Sequence, residues 1–521
     1  MSTSAVRAVV DDWPAEEGPP AGQGRSPLRL LAALASFLWL LPAVAMLLGT
    51  HGRWMFPAAA WLAPLFLLRF ARSQSTWIAL PVAFAVIVPV SASIWWAVVP
   101  FEGALRGVAV GLIGLAAFLP YLADRLLVAR LRGWGSSLVF PLSVVVVEFL
   151  LGLTPFGTWC ATGYTQAHDL PLMQVVSVTG ISGLTFLIAW LAAVANTVWE
   201  RGPRDPGARI AAIAFVVTMV LVHLLGGWSV RRGVGHDTVR IASFTMTTDP
   251  PLRIAPLLGS KLEGQALTSV RGQLQGLQAS LFARATQEAR AGAQVVFWSE
   301  ANAIVLDSDV DGVLSEGAGV SHDEGVYLGM AFSSLTPGQG TYDNRFVLLD
   351  PAGEILIDYR KARPRPGAPE RGADRHLATV ETPIGRLACA IGSDADDPGL
   401  MREAGQARAD IVLVPASDTP RSGPVPARLA LARGIENGLS IVRQTRPGLS
   451  AATDARGRTI ASVDYDETRT TVMVAQVPKH GVPTFYSRAG DLFAWLCLVA
   501  LALFVGLAVR AGRPTSAPTP A

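Results

Sequence analysis

Two residues in the C-terminal half of the chain stand where chemistry could be done. Glu300 closes the apolar run "AQVVFWSE" (293–300), and a carboxylate half-hidden at the end of such a run can serve as a general base. Lys361 ends "NRFVLLDPAGEILIDYRK" (344–361) in a chain that has only three lysines, Lys261, Lys361 and Lys479, and otherwise uses arginine. A compact ammonium fits beside a developing oxyanion better than a planar guanidinium does. Enzymes that use a nucleophile often carry it where a buried strand runs into a turn and a helix. "RLACAIGSDADDPGLMREA" (386–404) reads as that junction, but its strand end is Gly392, which has no side chain to acylate. Plainer readings stand beside these: a capping or salt-bridged Glu300 and an ordinary surface Lys361. Two neighbours could substitute for the nucleophile. Cys389 lies three residues earlier, and odd spacing along a strand points it to the opposite face, where a cysteine behaves as a small hydrophobe. Ser393 follows directly and would need stronger activation than a cysteine.

The elements that must hold these residues alternate between strand and helix from 238 to 478. "TVRIASFTM" (238–246) predicts a strand and 263–292 a long amphipathic helix. Strands follow at 293–300 and 326–335, then a hairpin over 344–361 with a Pro-Ala-Gly turn. Next come the strand "RLACAI", a helix at 399–408, the strand "ADIVLVPAS" (409–417), a helix at 424–437, and finally "LSIVRQT" and "LSAATDARGRTIASV". The pattern is an α/β sandwich of central strands covered by helices.

Ahead of this domain lie apolar runs at 28–49, 54–71, 76–99, 104–128, 136–153, 172–199 and 208–227, with an eighth at 489–510. Each is able to cross a hydrocarbon core of about 30 Å. The chain is 51% hydrophobic and only 16% charged, far below the roughly 25% of soluble domains, so it belongs in a membrane. The expected plan is a disordered cytoplasmic tail (1–27), a seven-helix transmembrane region (28–228), the domain (238–478), an eighth transmembrane helix (489–510) and a cytoplasmic tail (511–521). With the N-terminus inside, the inner segments hold Arg7, Arg25, Arg29, Arg69, Arg72, Arg125, Arg130, Arg132, Arg201, Arg204, Arg209, Arg510 and Arg513, whereas the outer loops before the domain hold only Arg53 and Arg106. The positive-inside rule then places the domain outside the cytoplasm.

Net charge of +3 gives no field to recruit nucleic acid. Three cysteines, Cys160, Cys389 and Cys497, and seven scattered histidines show no metal-ligand spacing, so neither a metal nor a cofactor is expected. Glu148 falls in the outer third of the fifth apolar run, where an ionisable group is costly and faces a partner or a cavity. Trp159 and Tyr164 in the loop that follows suit the lipid side as interfacial anchors. No paired broken segments of the transporter kind interrupt the apolar runs.

"FWSEAN", "YDNRFVLLDPAGEILIDYRK", "ADIVLVPASD" and "ARGIENGLSIVRQTRPGLSAATDARGR" resemble the nitrilase (carbon–nitrogen hydrolase) superfamily. "GTWCATGYTQAHDLPLMQVVSVTGISGLTFLIAWLAAVAN" and "FYSRAGDLFAW" are similar to its membrane branch, the apolipoprotein N-acyltransferase family. The resemblance runs from about residue 28 to 510. It implies a polytopic α-helical membrane bundle of about eight transmembrane helices plus an extracytoplasmic nitrilase-like α/β/β/α sandwich domain, set in a bacterial plasma membrane. It also implies a Glu–Lys–Cys triad. Glu300 maps onto the base and Lys361 onto the oxyanion-stabilising lysine. The cysteine would take an acyl chain from a phospholipid and pass it to the N-terminal amine of a lipoprotein, by ping-pong covalent catalysis. Here the match fails: Gly392 occupies the nucleophile position, Ser393 the tyrosine after it, and Pro398 the expected proline. Pro369 stands at the place of a further family glutamate, with Glu370 one residue later, and Ser299 replaces the proline before the base. Three functions follow. The chain is a member of the lipoprotein N-acylation machinery impaired by the loss at 392. Or it is a non-catalytic homologue that binds lipid, lipoprotein or a second acyltransferase chain. Or it is an active acyltransferase or amidase with Cys389 or Ser393 as a relocated nucleophile.

Overall fold

The computed structural model describes residues 34–50, 55–96, 98–99, 103–131, 133–154, 157–235, 237–246, 254–364, 368–372, 376–419, 422–465 and 471–511. The expected tail at 1–27, nearly all of the tail at 511–521, and Arg7, Arg25, Arg29, Arg53, Arg132 and Arg513 lie outside the described residues.

The N-terminal region is a helical bundle: α1 (Leu40–Leu47), α2 (Pro57–Ser73), α3 (Thr76–Trp95), α4 (Gly103–Leu127), α5 (Val139–Gly152), α6 (Ile181–Arg201) and α7 (Pro206–Arg232). Counting the turns that extend them, and including the last helix of the chain, six helices among the described residues are long and apolar enough to cross a membrane. The expected second span, α2, has 17 residues, and the first apolar helix is described only from Leu34 to Leu47. One expected span is corrected. The run at 172–199 is not one helix, because Gly180 turns the chain with φ +64°. Two short helical turns, Leu170–Met173 and Val176–Thr179, precede it and α6 begins after it. Helix α7 opens on a capping pair: Asp205 accepts from the Ala208 amide, and Pro206 sits in the first turn.

At one end of the bundle the basic residues make their own contacts. Arg72 is buried in a bidentate pair with Asp124 at 2.7 and 2.9 Å, and Arg125 donates to the Gln74 carbonyl at 2.6 Å. The domain joins the opposite end.

The domain packs two sheets face to face. The first comprises β1 (Thr238–Phe244), β2 (Val295–Trp298), β3 (Ala303–Leu306), β4 (Tyr327–Leu335), β5 (Tyr342–Leu349), β6 (Ile355–Arg360) and β7 (Glu370–Arg371). The second comprises β8 (Thr379–Thr382), β9 (Gly385–Cys389), β10 (Ile411–Pro415), β11 (Ser440–Gln444), β12 (Leu449–Thr453) and β13 (Thr459–Asp464). The last strand, β14 (Val472–Pro478), returns to the first sheet and pairs antiparallel with β1 from Thr238↔Pro478 to Phe244↔Val472. Helices α8 (Gly264–Arg290), α9 (Val310–Glu324), α10 (Pro398–Gln406) and α11 (Val425–Asn437) accompany the strands, and α12 (Leu492–Arg510) is the last apolar helix. Strands such as "VVFW" and "IVLVP" are buried along their whole length, as parallel strands covered on both faces must be. Trp298, Phe244, Phe297, Phe332 and Phe346 lie inside the resulting core. Each such side chain contributes roughly 1.5–3 kcal/mol.

Helix α11 ties the domain to the bundle. Its Leu429, Ala432 and Ile435 pack into one apolar cluster with Leu172, Val176 and Leu184. Beneath that cluster, Arg433 and Glu436 are fully buried and form an ion pair one turn apart. Arg433 also donates to the Tyr164 hydroxyl, and the Glu436 carboxylate accepts from the Ile181 amide at 2.8 Å. The joint is therefore polar inside an apolar rim.

Candidate active site

Three strand ends meet where the two sheets adjoin. Glu300 follows β2 by two residues, Lys361 follows β6, and Gly392 follows β9. The turn that carries Glu300 is tied down on every side. The Ser299 amide donates to the Phe244 carbonyl at 3.0 Å, and the Ser299 hydroxyl to Thr245 Oγ1 at 2.8 Å. Ala301 takes φ +53°, so a residue with a side chain is held in the left-handed region.

The Glu300 carboxylate is clamped. Its Oε1 accepts from Lys361 Nζ at 2.5 Å and from Asn344 Nδ2 at 2.7 Å. Glu370 Oε1 lies 3.5 Å from the same ammonium and accepts from the same amide at 2.5 Å. Lys361 is 4% exposed, which overturns the reading of it as a surface lysine. Burial alone would lower its pKa, but the two carboxylates outweigh that and hold it above the ordinary lysine value. It stays an ammonium. Burial pushes the Glu370 carboxyl up, and Lys361 and Asn344 partly offset the push. Glu370 therefore enters the site although Pro369 stands at the family position; pairing of β7 with β5 brings it in through Tyr342↔Glu370.

Gly392 completes the arrangement with φ +50°. A Cβ built on it would fall inside contact distance of Glu300 Oε2 and 3.2 Å from the Glu300 carboxyl carbon. The Glu300 carboxylate thus fills the space that a side chain at 392 would start from. Asp394, two residues on, is fully buried and locks this turn to the lysine segment. It accepts from the Tyr359 hydroxyl at 2.8 Å, the Arg363 amide at 2.7 Å, the Ala362 amide at 3.2 Å and the Ile391 amide at 3.3 Å. Burial raises its pKa to about 6, against the opposing pull of Lys361 and these donors.

Neither substitute nucleophile is activated. Cys389 is 1% exposed in the core, and burial, followed by the charge of Asp394, pushes its thiol well above the usual value. The Ser393 hydroxyl donates to the Arg363 carbonyl at 2.7 Å. Asn344, Tyr359, Asp394 and Arg443 were not singled out by sequence reasoning, since each is a common residue in a strand or turn. Arg443 is buried and donates to Asp418 at 2.5 Å; burial lowers its pKa, and Asp418, Asp396 and Glu300 raise it further than that.

The residues expected on the lipid side divide. Glu148 lines a cavity in the bundle, where its carboxylate accepts from Thr162 and Thr185. Trp159 is half-buried, and its indole donates to Asp396 Oδ2 at 3.2 Å, so it reaches the turn after Gly392. Tyr164 is not a lipid anchor: it is 1% exposed, and its hydroxyl accepts from buried Arg433 and shares a hydrogen bond with Thr158 at 2.7 Å. Among the described residues, no group of three or more His, Cys, Asp or Glu could hold a metal ion.

Residues 43–194 match the apolipoprotein N-acyltransferase N-terminal domain, and residues 272–483 match the carbon–nitrogen hydrolase family. An apolipoprotein N-acyltransferase of Caulobacter vibrioides is 28% identical over 471 residues, covering 80% of this chain and 81% of that one. Across most of its length the chain is similar to apolipoprotein N-acyltransferases. A Geobacter metallireducens apolipoprotein N-acyltransferase is 24% identical over 409 residues, covering 73% of this chain and 75% of that one. Among solved structures, an amidase from Nesterenkonia sp. aligns with 48% of this chain and 94% of its own, at 19% identity and a TM-score of 0.37. Around the site, Glu300 follows β2, Lys361 follows β6 and Gly392 opens the turn after β9.

Proposed function

We propose that this chain is a membrane-embedded component of lipoprotein N-acylation that holds phospholipid and a lipoprotein N-terminus without forming an acyl-enzyme at residue 392. One observation carries the reading: the Glu300 carboxylate, clamped by Lys361 and Asn344, occupies the start of the nucleophile's side chain at Gly392. A base with no thiol to deprotonate cannot begin ping-pong transfer, and loss of a nucleophile removes most of the rate beyond binding effects. The domain lies on the outer face of a bacterial plasma membrane with both termini in the cytoplasm. That placement is supported by the arginine count and by attachment of the domain at the end of the bundle opposite the Arg72–Asp124 pair. A second acyltransferase chain would perform the covalent steps that this one lacks.

A second reading keeps enzymatic activity, and the intact Glu300–Lys361–Glu370 cluster favours it. Peptide mass spectrometry of the purified protein after incubation with phospholipid separates the two. The expected result is no acyl adduct anywhere in residues 386–404. An adduct on Cys389 or Ser393 that disappears in Glu300→Ala would overturn the proposal and identify a relocated nucleophile.

A further inference from the structure

The end of the bundle that meets the domain carries a group of arginines that the site around Gly392 does not use. Helix α7 finishes on Arg231 and Arg232, both exposed, and the turn between β12 and β13 brings Arg456 and Arg458 against it. Arg458 fixes that contact, since its guanidinium donates to the Val230 carbonyl in the last turn of α7. Gln174 joins the two elements from the side: its Nε2 donates to the Arg456 carbonyl at 3.0 Å, and its Oε1 accepts from the Ser229 hydroxyl at 3.1 Å. Segments 228–232 and 454–458 together hold four arginines and one carboxylate, Asp454. That carboxylate serves the backbone: its Oδ1 accepts from the Arg456 and Arg458 amides at 2.8 and 2.9 Å. The Arg456 guanidinium makes no hydrogen bond or ion pair among the described residues, and its Nε is buried without a partner. Burial lowers the pKa of Arg456, Asp454 opposes this, and the like charge of Arg232 adds to the lowering. The two guanidinium groups are thus near enough to repel each other. The dipole of α7 accounts for basic residues in its own last turn. It does not account for an arginine that the domain brings there and leaves without an acid.

The helix below supplies the rest of the binding surface. Leu221, Leu224 and Trp228 recur three and four residues apart on the face of α7 that ends at Arg232, and each is more than half exposed. Arg232 lies over the Trp228 ring, 4.2 Å from its centre. Helix α7 is one of the helices long and apolar enough to cross a membrane. Exposed leucines, then an indole, then a guanidinium follow the profile of a lipid, from hydrocarbon through the interface to the head group. Paired guanidinium groups suit the oxygens of a phosphate. A zwitterionic lipid would bring a cation back to the patch, whereas an anionic one neutralises it. We infer that Arg232 and Arg456 together hold the phosphodiester of an anionic phospholipid whose tails lie along the Leu221–Leu224–Trp228 face of α7, so that this lipid bridges the bundle and the domain. The site stands apart from residue 392 and holds whether or not an acyl-enzyme forms.

The test reconstitutes the full chain in nanodiscs of equal parts dioleoyl phosphatidylglycerol and dioleoyl phosphatidylcholine, which share their chains and differ in head-group charge. Native mass spectrometry then reads which lipids stay bound. The natural protein should retain phosphatidylglycerol severalfold over phosphatidylcholine. Arg232→Ala with Arg456→Ala should bring that ratio close to parity. Arg130→Ala with Arg510→Ala, which removes two exposed arginines elsewhere, should leave it as it was. Parity in the natural protein, or an unchanged ratio in the Arg232→Ala, Arg456→Ala protein, overturns the site. If that double variant does not fold, Arg232→Ala alone, at an exposed position, should still lower the ratio, and an unchanged ratio there overturns the site equally. Melting curves in detergent identify the source of the phosphate. Added phosphatidylglycerol should raise the melting temperature of the natural protein and not that of the double variant, and inorganic phosphate should raise neither. A rise with inorganic phosphate that phosphatidylglycerol does not exceed would overturn the lipid in favour of a free anion.

Discussion

At the scale of single residues, the centre of the site is a buried charge cluster whose members hold one another. Removing Lys361 leaves Glu300 and Glu370 without their cation. Truncating one partner of a buried pair costs about 3–5 kcal/mol, so Lys361→Ala should lower the melting temperature sharply, and Lys361→Ala combined with Glu300→Gln should recover part of the loss. A double variant no better than the single one would sink that account. Gly392 makes a related prediction. A side chain there must adopt φ near +50° and push the Glu300 carboxylate aside. The left-handed backbone alone costs roughly 1–2 kcal/mol for a residue with a Cβ. Gly392→Cys should therefore be less stable than the natural protein, and Gly392→Cys with Glu300→Ala should be relieved; melting curves of the three proteins check this. Asp394 supplies a pH dependence. Its carboxyl moves from an ordinary 3.8 to about 6 on folding. Between those values the folded chain keeps a proton that the unfolded chain has lost, so stability falls as pH rises through that window, by about 3 kcal/mol in all. The penalty is absent below the window and complete above it. The melting-temperature advantage of the natural protein over Asp394→Asn should shrink from pH 4 to pH 7, and an advantage that grows would contradict the assignment. Glu300 drew notice because it closes an apolar run and Lys361 because the chain uses arginine nearly everywhere else, and the family resemblance joined the two. Asn344 and Asp394 did not, because their importance lies in partners distant in sequence: Asn344 reaches Glu300 and Glu370, and Asp394 reaches 359–363.

At the scale of elements, most strands and helices of the domain fall where periodicity places them. The predicted helix over 263–292 forms as Gly264–Arg290, and the predicted hairpin over 344–361 forms as β5 and β6 around Pro351–Gly353. The run at 172–199 misleads because hydropathy averages over Gly180, and one positive φ is enough to break a helix that every neighbour favours. Tyr164 misleads for the opposite reason. An aromatic residue in an outer loop looks like an anchor until a buried arginine from the domain claims its hydroxyl. That arginine makes α11 the element on which the two halves depend. Arg433 and Glu436 are fully buried, so removing either leaves an uncompensated charge. Glu436→Ala should loosen the joint as well as destabilise it. Hydrogen exchange should rise at the Ile181 amide and along 162–166 while β9–β11 stay protected. Uniform protection across both regions would show that the apolar rim suffices.

At the scale of the whole molecule, a set of apolar helices and a domain inserted before the last of them were readable from composition, and six of those helices, among the described residues, are long and apolar enough to cross a membrane. Sidedness rests on the arginine count and calls for direct measurement. A single cysteine introduced at Gln339 or Glu354, both exposed in the domain, should react in intact cells with a maleimide that does not cross membranes. Labelling only after the cells are opened would reverse the placement. The cavity was not legible, because a void belongs to no residue; its wall is drawn from helices that sequence order separates.

The pairing of β1 with β14 has a mechanical meaning. Thr238 and Pro478 face each other at the root of the domain, with α7 arriving shortly before the first and α12 departing shortly after the second. Drawing those two helices apart in the plane of the bilayer would load the pair from that end, after the Val482–Gly438 and Thr484–Glu436 hydrogen bonds that anchor the connection to α12. Strands held about 5 Å apart thereby act as a clasp on the two spans, and a bilayer under lateral tension would feel the domain as a restraint on how far its own helices can separate.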